Sequence, residues 1–176
     1  MRIVGILRRC FITRDKDILV RAYNCYVRPI IEYCSVVISP FWKKDISLLE
    51  KPLRKLTKYI VGFKSGMGYE DRLKNLEIPS VVTRRSIADL AQVHKIVHKK
   101  SFVKFDTLFK NSVCNRTRKN NNFKLRIRKR NTTRRESTFA FRVVNTWNSL
   151  DESIVNTNLC VFKKMLLQKF LKLGAI

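Results

Sequence analysis

Four cations at helical spacing, Lys51, Arg54, Lys55 and Lys58, are the side chains in this sequence best arranged to do chemistry. Steps of three and four residues put them about one turn apart on a single helix face. Such a row can touch phosphates, which positions a polyanion without reading its sequence. A second supply lies between residues 115 and 135, where ten basic residues occur without an acid. They are Arg116, Arg118, Lys119, Lys124, Arg126, Arg128, Lys129, Arg130, Arg134 and Arg135. Arg126 to Arg130 also fit a nuclear-import patch, which would make the chain intracellular and nuclear. The bland alternatives are a solvated helix face and a basic linker with no specific role. The charge total weighs against both: 38 Lys and Arg stand against 13 Asp and Glu, a formal net charge of +25. Such a surface repels itself unless a polyanion covers it, and nucleic acid is the usual one. Other RNA-binding proteins and binders of anionic membranes share this signature.

Catalytic and metal-binding arrangements are harder to find. Two-metal nucleotidyl transfer needs clustered carboxylates, and no two aspartates are adjacent anywhere in the chain. His94 and His98 lie four apart, but Lys95 stands where a His-Glu-x-x-His metal site has its glutamate. Exposed or capping histidines are the favoured reading. The five cysteines (Cys10, Cys25, Cys34, Cys114 and Cys160) are odd in number and widely spaced. Neither a disulfide framework nor a zinc site follows; buried free thiols in a reducing compartment do. No hydrolase spacing occurs, and no cofactor is implied. Trp42, Trp147, Tyr23, Tyr26 and Tyr33 could stack bases, but most sit on apolar stripes, which favours core packing. Phe41 and Trp42, in a Ser-Pro turn, are the exception.

The elements that would carry these side chains read as helices. Ile18, Leu19, Ala22, Tyr23, Tyr26, Ile30, Cys34 and Val37 predict a helix over 15–39, capped by Thr13 or Asp15 and kinked or split at Pro29. Ser39-Pro40 stops it. A second helix of about 17 residues opens near Asp45, with Ile46, Leu49, Leu53, Leu56 and Ile60 opposite the basic row. Pro52 in its interior, at a cost of roughly 3 kcal/mol, predicts a kink or a later start. Residues 62–68 break the chain. A short helix over 69–76 and a longer one over 81–99, N-capped by Ser80, follow. Within 115–135, Phe123, Leu125 and Ile127 alternate with basic residues, the period of a strand in a flexible arm. Residues 139–150 and a stretch from Leu159 read as helices. The expected fold is mainly α: an antiparallel helical bundle at 1–110, a basic arm at 111–135 with a short strand, and a C-terminal helical segment at 136–176. No apolar run reaches the roughly 18 residues that span a bilayer, and the start lacks a signal-peptide core.

Ordered pieces of the chain carry a family resemblance. They are Gly5-Ile-Leu-Arg-Arg-Cys-Phe11, Arg14-Asp15, Val27-Arg-Pro29, Glu32-Tyr33, Ser39-Pro40, Lys43-Lys-Asp-Ile46 and Leu49-Glu-Lys51, then Tyr69-Glu-Asp-Arg-Leu73, Arg84-Arg85, Asp89-Leu90, Arg142-Val-Val-Asn-Thr-Trp-Asn-Ser-Leu150 and Phe162-Lys163. Together they resemble the run after the polymerase palm in reverse transcriptases of non-LTR (LINE-type, jockey/CR1-like) retrotransposons. The resemblance implies a thumb-like bundle that grips the template–primer duplex of an RNA-directed DNA polymerase. The partner would be RNA, DNA or their hybrid, together with the upstream palm and fingers of the parent polymerase. The palm's aromatic-x-Asp-Asp is absent, so no polymerase activity is expected of this chain alone. The alternative is a free-standing basic RNA-binding protein derived from a retrotransposon.

Overall fold

The computed structural model describes residues 2–63, 66–111, 123–126 and 138–173. Among them the chain is mainly α-helical. Its elements are α1 Ile3–Cys10, α2 Lys16–Tyr26, α3 Arg28–Glu32, α4 Lys43–Val61, α5 Tyr69–Leu76, α6 Val81–Val97, α7 Phe105–Leu108, β1 Lys110–Asn111, β2 Leu125–Arg126, α8 Phe139–Asn148, α9 Glu152–Val155 and α10 Leu159–Leu173. The chain folds as two units. One comprises Met1–Ser35, Trp42–Arg85 and Phe170–Ile176, the other Val36–Phe41 and Ser86–Lys169. This division cuts across the sequence segment 1–110.

The first unit is built on α4, which packs against α1, α2 and α5. Leu19, Leu53 and Leu56 are wholly buried at its centre, among Val4, Tyr23, Ile31, Leu73 and Val81. Asp15 caps α2 as expected: its Oδ1 accepts from Asp17 N–H at 2.8 Å and Ile18 N–H at 3.3 Å. Pro29 splits the following helix, since α2 ends at Tyr26 and α3 begins at Arg28.

Three expectations are corrected here. The helix predicted to reach residue 39 ends at Glu32, and Cys34 takes φ +49°. A continued helix would give the Ile31 carbonyl to the Ser35 N–H. Instead Arg85 Nη1 donates to Ile31 O at 3.1 Å, and Ser35 N–H turns to Glu32 O. The second correction concerns the later start expected from Pro52: α4 begins at Lys43 and runs past the proline to Val61. The proline costs roughly 3 kcal/mol, while each fully buried leucine contributes about 1.5–3 kcal/mol. Leu53 and Leu56 therefore outweigh it. The carbonyl it leaves without a donor belongs to Leu48, an exposed residue that water can reach. Thirdly, Cys10, Cys25, Cys34 and Cys160 are exposed free thiols rather than buried ones. Cys114 lies outside the described residues.

The second unit packs around Trp147 and Phe162, whose ring centroids are 6.0 Å apart, with Leu90, Val93, Val143, Val155 and Leu166 buried. β1 and β2 pair antiparallel, Lys110 opposite Arg126 and Asn111 opposite Leu125. At the start of α6, in the first unit, Ser80 Oγ accepts from Thr83 N–H at 3.0 Å, the predicted cap. No helix among the described residues is long and apolar enough to cross a membrane.

Candidate nucleic-acid interface

Helix α4 separates its faces cleanly. Leu53, Leu56, Thr57 and Tyr59 are buried, while Lys51, Arg54, Lys55 and Lys58 are exposed. Lys44, two turns earlier on the same face, is exposed as well. The row from Lys44 to Lys58 runs about 21 Å at 1.5 Å per residue. Among the described residues, none of these cations forms an ion pair with a carboxylate. Glu50, whose neighbour is Lys51, does not neutralise them because it is buried and engaged elsewhere. Tyr69 O–H donates to Glu50 Oε2 at 2.6 Å, and Val82 N–H donates to Oε1 at 3.1 Å. Burial first, and then that hydrogen bond, push the Tyr69 hydroxyl well above its ordinary pKa.

Aromatic rings hold several cations in place. Arg54 lies 4.5 Å from the Tyr69 ring centroid. Arg8 of α1 sits 5.1 Å from Tyr59 and 5.2 Å from Phe63, with Arg14 5.5 Å from Tyr59 and Lys58 5.7 Å from Phe63. Cation–π contacts of this kind keep a cation at the surface while restricting its motion. Arg8 and Arg14 thus join the basic end of α4. Sequence reasoning missed both. The signal was present, because Ile3, Val4 and Leu7 form a helical stripe beside Arg8 and Arg9.

The arm is anchored where it is described. Leu125 is buried while Lys124 and Arg126 are exposed, matching the predicted alternation. Trp147 Nε1–H donates to Phe123 O at 2.8 Å. The Asn148 amide serves Leu125 as a neighbouring strand would: Oδ1 accepts its N–H at 2.9 Å, and Nδ2 donates to its carbonyl at 3.0 Å. The expectation of a flexible arm is therefore corrected for residues 123–126. Arg116, Arg118, Lys119, Arg128, Lys129, Arg130, Arg134 and Arg135 lie outside the described residues.

The remaining candidates divide. Tyr23 and Trp147 are core residues, as expected, but Tyr26, Tyr33 and Trp42 are exposed, with Tyr33 at 77%. Tyr26 closes α2 and Tyr33 follows the last residue of α3. Phe41 and Trp42 are exposed at their turn. His94 is buried, against the exposed reading, while the capping reading holds. His94 Nε2 meets Thr157 O at 2.9 Å and His98 Nε2 meets Val155 O at 3.0 Å, both carbonyls at the C-terminal end of α9. His94 Nδ1 is buried without a partner. Burial first, and then the neighbouring His98, hold its pKa below 6.5. No group of three or more His, Cys, Asp or Glu among the described residues is placed to hold a metal ion.

Motif pieces distant in sequence meet in the fold. Glu32 pairs with Arg84 Nε at 2.8 Å, Glu50 with Tyr69, and Asp89 with Arg142 through two contacts of 2.7 and 2.8 Å. Arg142 Nη2 also donates to Val36 O at 2.6 Å. These recognisable polar residues are structural ties, and the cations of α4 are left to face solvent.

Comparison with known proteins adds one relative. Over 93 residues the chain is 31% identical to an uncharacterized protein of Caenorhabditis elegans, covering 52% of this chain and 47% of that one. The chain thus spans about half the length of the curated relative it matches. No protein-family model and no solved structure matches it.

Proposed function

We propose that this chain is a nucleic-acid-holding part of a LINE-type reverse transcriptase, working in the nucleus and without polymerase chemistry of its own. The observation that carries the reading is the basic face of α4, exposed and unpaired with any carboxylate among the described residues, in a chain of net charge +25. A cationic row about 21 Å long follows the backbone of a duplex, and its contacts are with phosphates. Arg8 and Arg14 extend that surface, and Lys124 and Arg126 supply a second one. The ordered motif pieces support the polymerase reading over a generic basic protein. The lack of adjacent aspartates in the sequence supports a holding role.

An electrophoretic titration on RNA–DNA hybrid tests this. Wild type should bind with steep salt dependence, each neutralised duplex phosphate adding roughly 0.9 to the log–log slope. Affinity that is flat across salt, or unchanged in the Lys51/Arg54/Lys55/Lys58→Ala variant, would count against the α4 face. Primer extension with Mg²⁺ should show no incorporation; incorporation above background would sink the non-catalytic assignment.

A further inference from the structure

A cleft of about 310 Å³ opens in the second unit, lined by Ile96, Val97, Phe105, Phe123 and Leu125 with Lys99, Asp106 and Lys124. Its size falls in the small-molecule range, roughly 300–1,000 Å³. The floor is apolar: Ile96 and Leu125 are buried, while Val97, Phe105 and Phe123 are half-buried. Lys99, Asp106 and Lys124 are exposed at the rim.

We propose that this cleft takes one unpaired nucleotide of a nucleic-acid strand. A nucleobase needs a flat apolar surface for its π-face, and the Phe105 and Phe123 rings provide one. Its phosphate needs cations, and Lys99 and Lys124 provide them. Asp106 repels the phosphate and can accept a hydrogen bond from a donor on the base edge, such as the exocyclic amine of adenine or cytosine. An aliphatic ligand would leave the lysines unused, and a bare phosphate would leave the rings unused.

The cleft is preformed on two sides. Trp147 and Asn148 hold the backbone of Phe123 and Leu125 on either side of Lys124. Lys99 sits just past α6 with φ +55°, and the turn is closed by Lys99 N–H to Ile96 O at 3.2 Å and Lys100 N–H to Lys95 O at 2.7 Å. Lys124 belongs to this wall, and Arg126, two residues on, is exposed as well. The inference rests on the nucleic-acid reading above and adds to it a place for a base that has left the duplex.

The full chain should be titrated with a blunt RNA–DNA hybrid, the same hybrid carrying a single-stranded adenine overhang, and free AMP. The overhang should bind about tenfold more tightly than the blunt end, the effect of one stacked base. A 2-aminopurine in the overhang should lose fluorescence on binding. Phe123→Leu and, separately, Phe105→Leu should remove that increment while leaving blunt-end affinity and the thermal midpoint as in wild type. Equal affinity for overhang and blunt hybrid, or an increment surviving both phenylalanine variants, would overturn the cleft assignment and leave the α4 reading intact. AMP binding as tightly as the overhang would reassign the cleft to free nucleotides and overturn the strand. Failure to bind either hybrid would overturn the nucleic-acid reading and the cleft with it.

Discussion

Helices α4 and α8 both carry arginine on a helix face, and the fold uses them in opposite ways. On α4, Arg54 rests on the Tyr69 ring among three lysines, and no carboxylate pairs with them among the described residues. On α8, Arg142 forms a bidentate pair with Asp89, with both side chains largely buried, and its remaining reach goes to the Val36 carbonyl. One guanidinium is left facing solvent and the other is consumed by the fold. Exposed pairs contribute little to stability, whereas removing one partner of a buried pair strands a charge away from water. Residue type alone says nothing about which role an arginine has. Its acidic neighbours decide.

The contrast can be broken from either side. The largest effect should come from Arg142→Ala, which leaves Asp89 buried and unpaired. Chemical denaturation should show a loss of about 3–5 kcal/mol, with binding by the surviving folded fraction unchanged. Next is Lys51/Arg54/Lys55/Lys58→Ala, the mirror image. Hybrid affinity should fall about a hundredfold and the salt slope by roughly 3 to 4, since four phosphate contacts at about 0.9 each are removed. Stability should move by only a few tenths of a kcal/mol, as for other exposed substitutions. If the two variants affected the same property, the contrast would be gone. A smaller effect is expected of Asn148→Ala, which takes both hydrogen bonds from Leu125. A loss of about 1–3 kcal/mol should appear, with faster hydrogen exchange at the Leu125 amide as the local readout.

The smallest effect is tied to pH. His94, held below 6.5 by burial and by His98, with Lys100 adding to the same direction, binds a proton more readily once unfolded. Protonation would also place an N–H at Nδ1, which has no acceptor. Its contribution is therefore fully present above about pH 6.5 and is lost as pH falls from there through the lowered native value. Urea midpoints across this window should decline on acidification. His94→Gln should flatten the decline, and an equally steep decline would remove His94 as its source.

Much of the local structure was legible in the chain. Asp15 and Ser80 announced their caps, the helix over residues 69–76 was bounded correctly, and the alternation at Phe123 to Arg126 foretold a strand. The basic row on α4 was readable because helix period and charge coincide there. The anchoring of the arm was not, since Trp147 and Asn148 lie more than 20 residues from the carbonyls and amide they hold. Nor was the early end of α3. The periodicity ran on through Cys34 and Val37, but the backbone leaves the helix at Tyr33, and a guanidinium 54 residues away hydrogen-bonds the Ile31 carbonyl there.

By itself the sequence determined the helical class, the caps at Asp15 and Ser80 and the large positive charge, because these depend on composition and on neighbours within a turn or two. It also supplied the ordered motif pieces behind the polymerase reading. Tertiary structure decided which polar residues are ties and which are left to solvent. It joined Glu32 to Arg84, Glu50 to Tyr69 and Asp89 to Arg142, and it carried α4 through Pro52 by burying Leu53 and Leu56. The physical reason is the same in each case. Burial and long-range hydrogen bonds set the free energy of a polar group, and no window of sequence contains the partner that provides them.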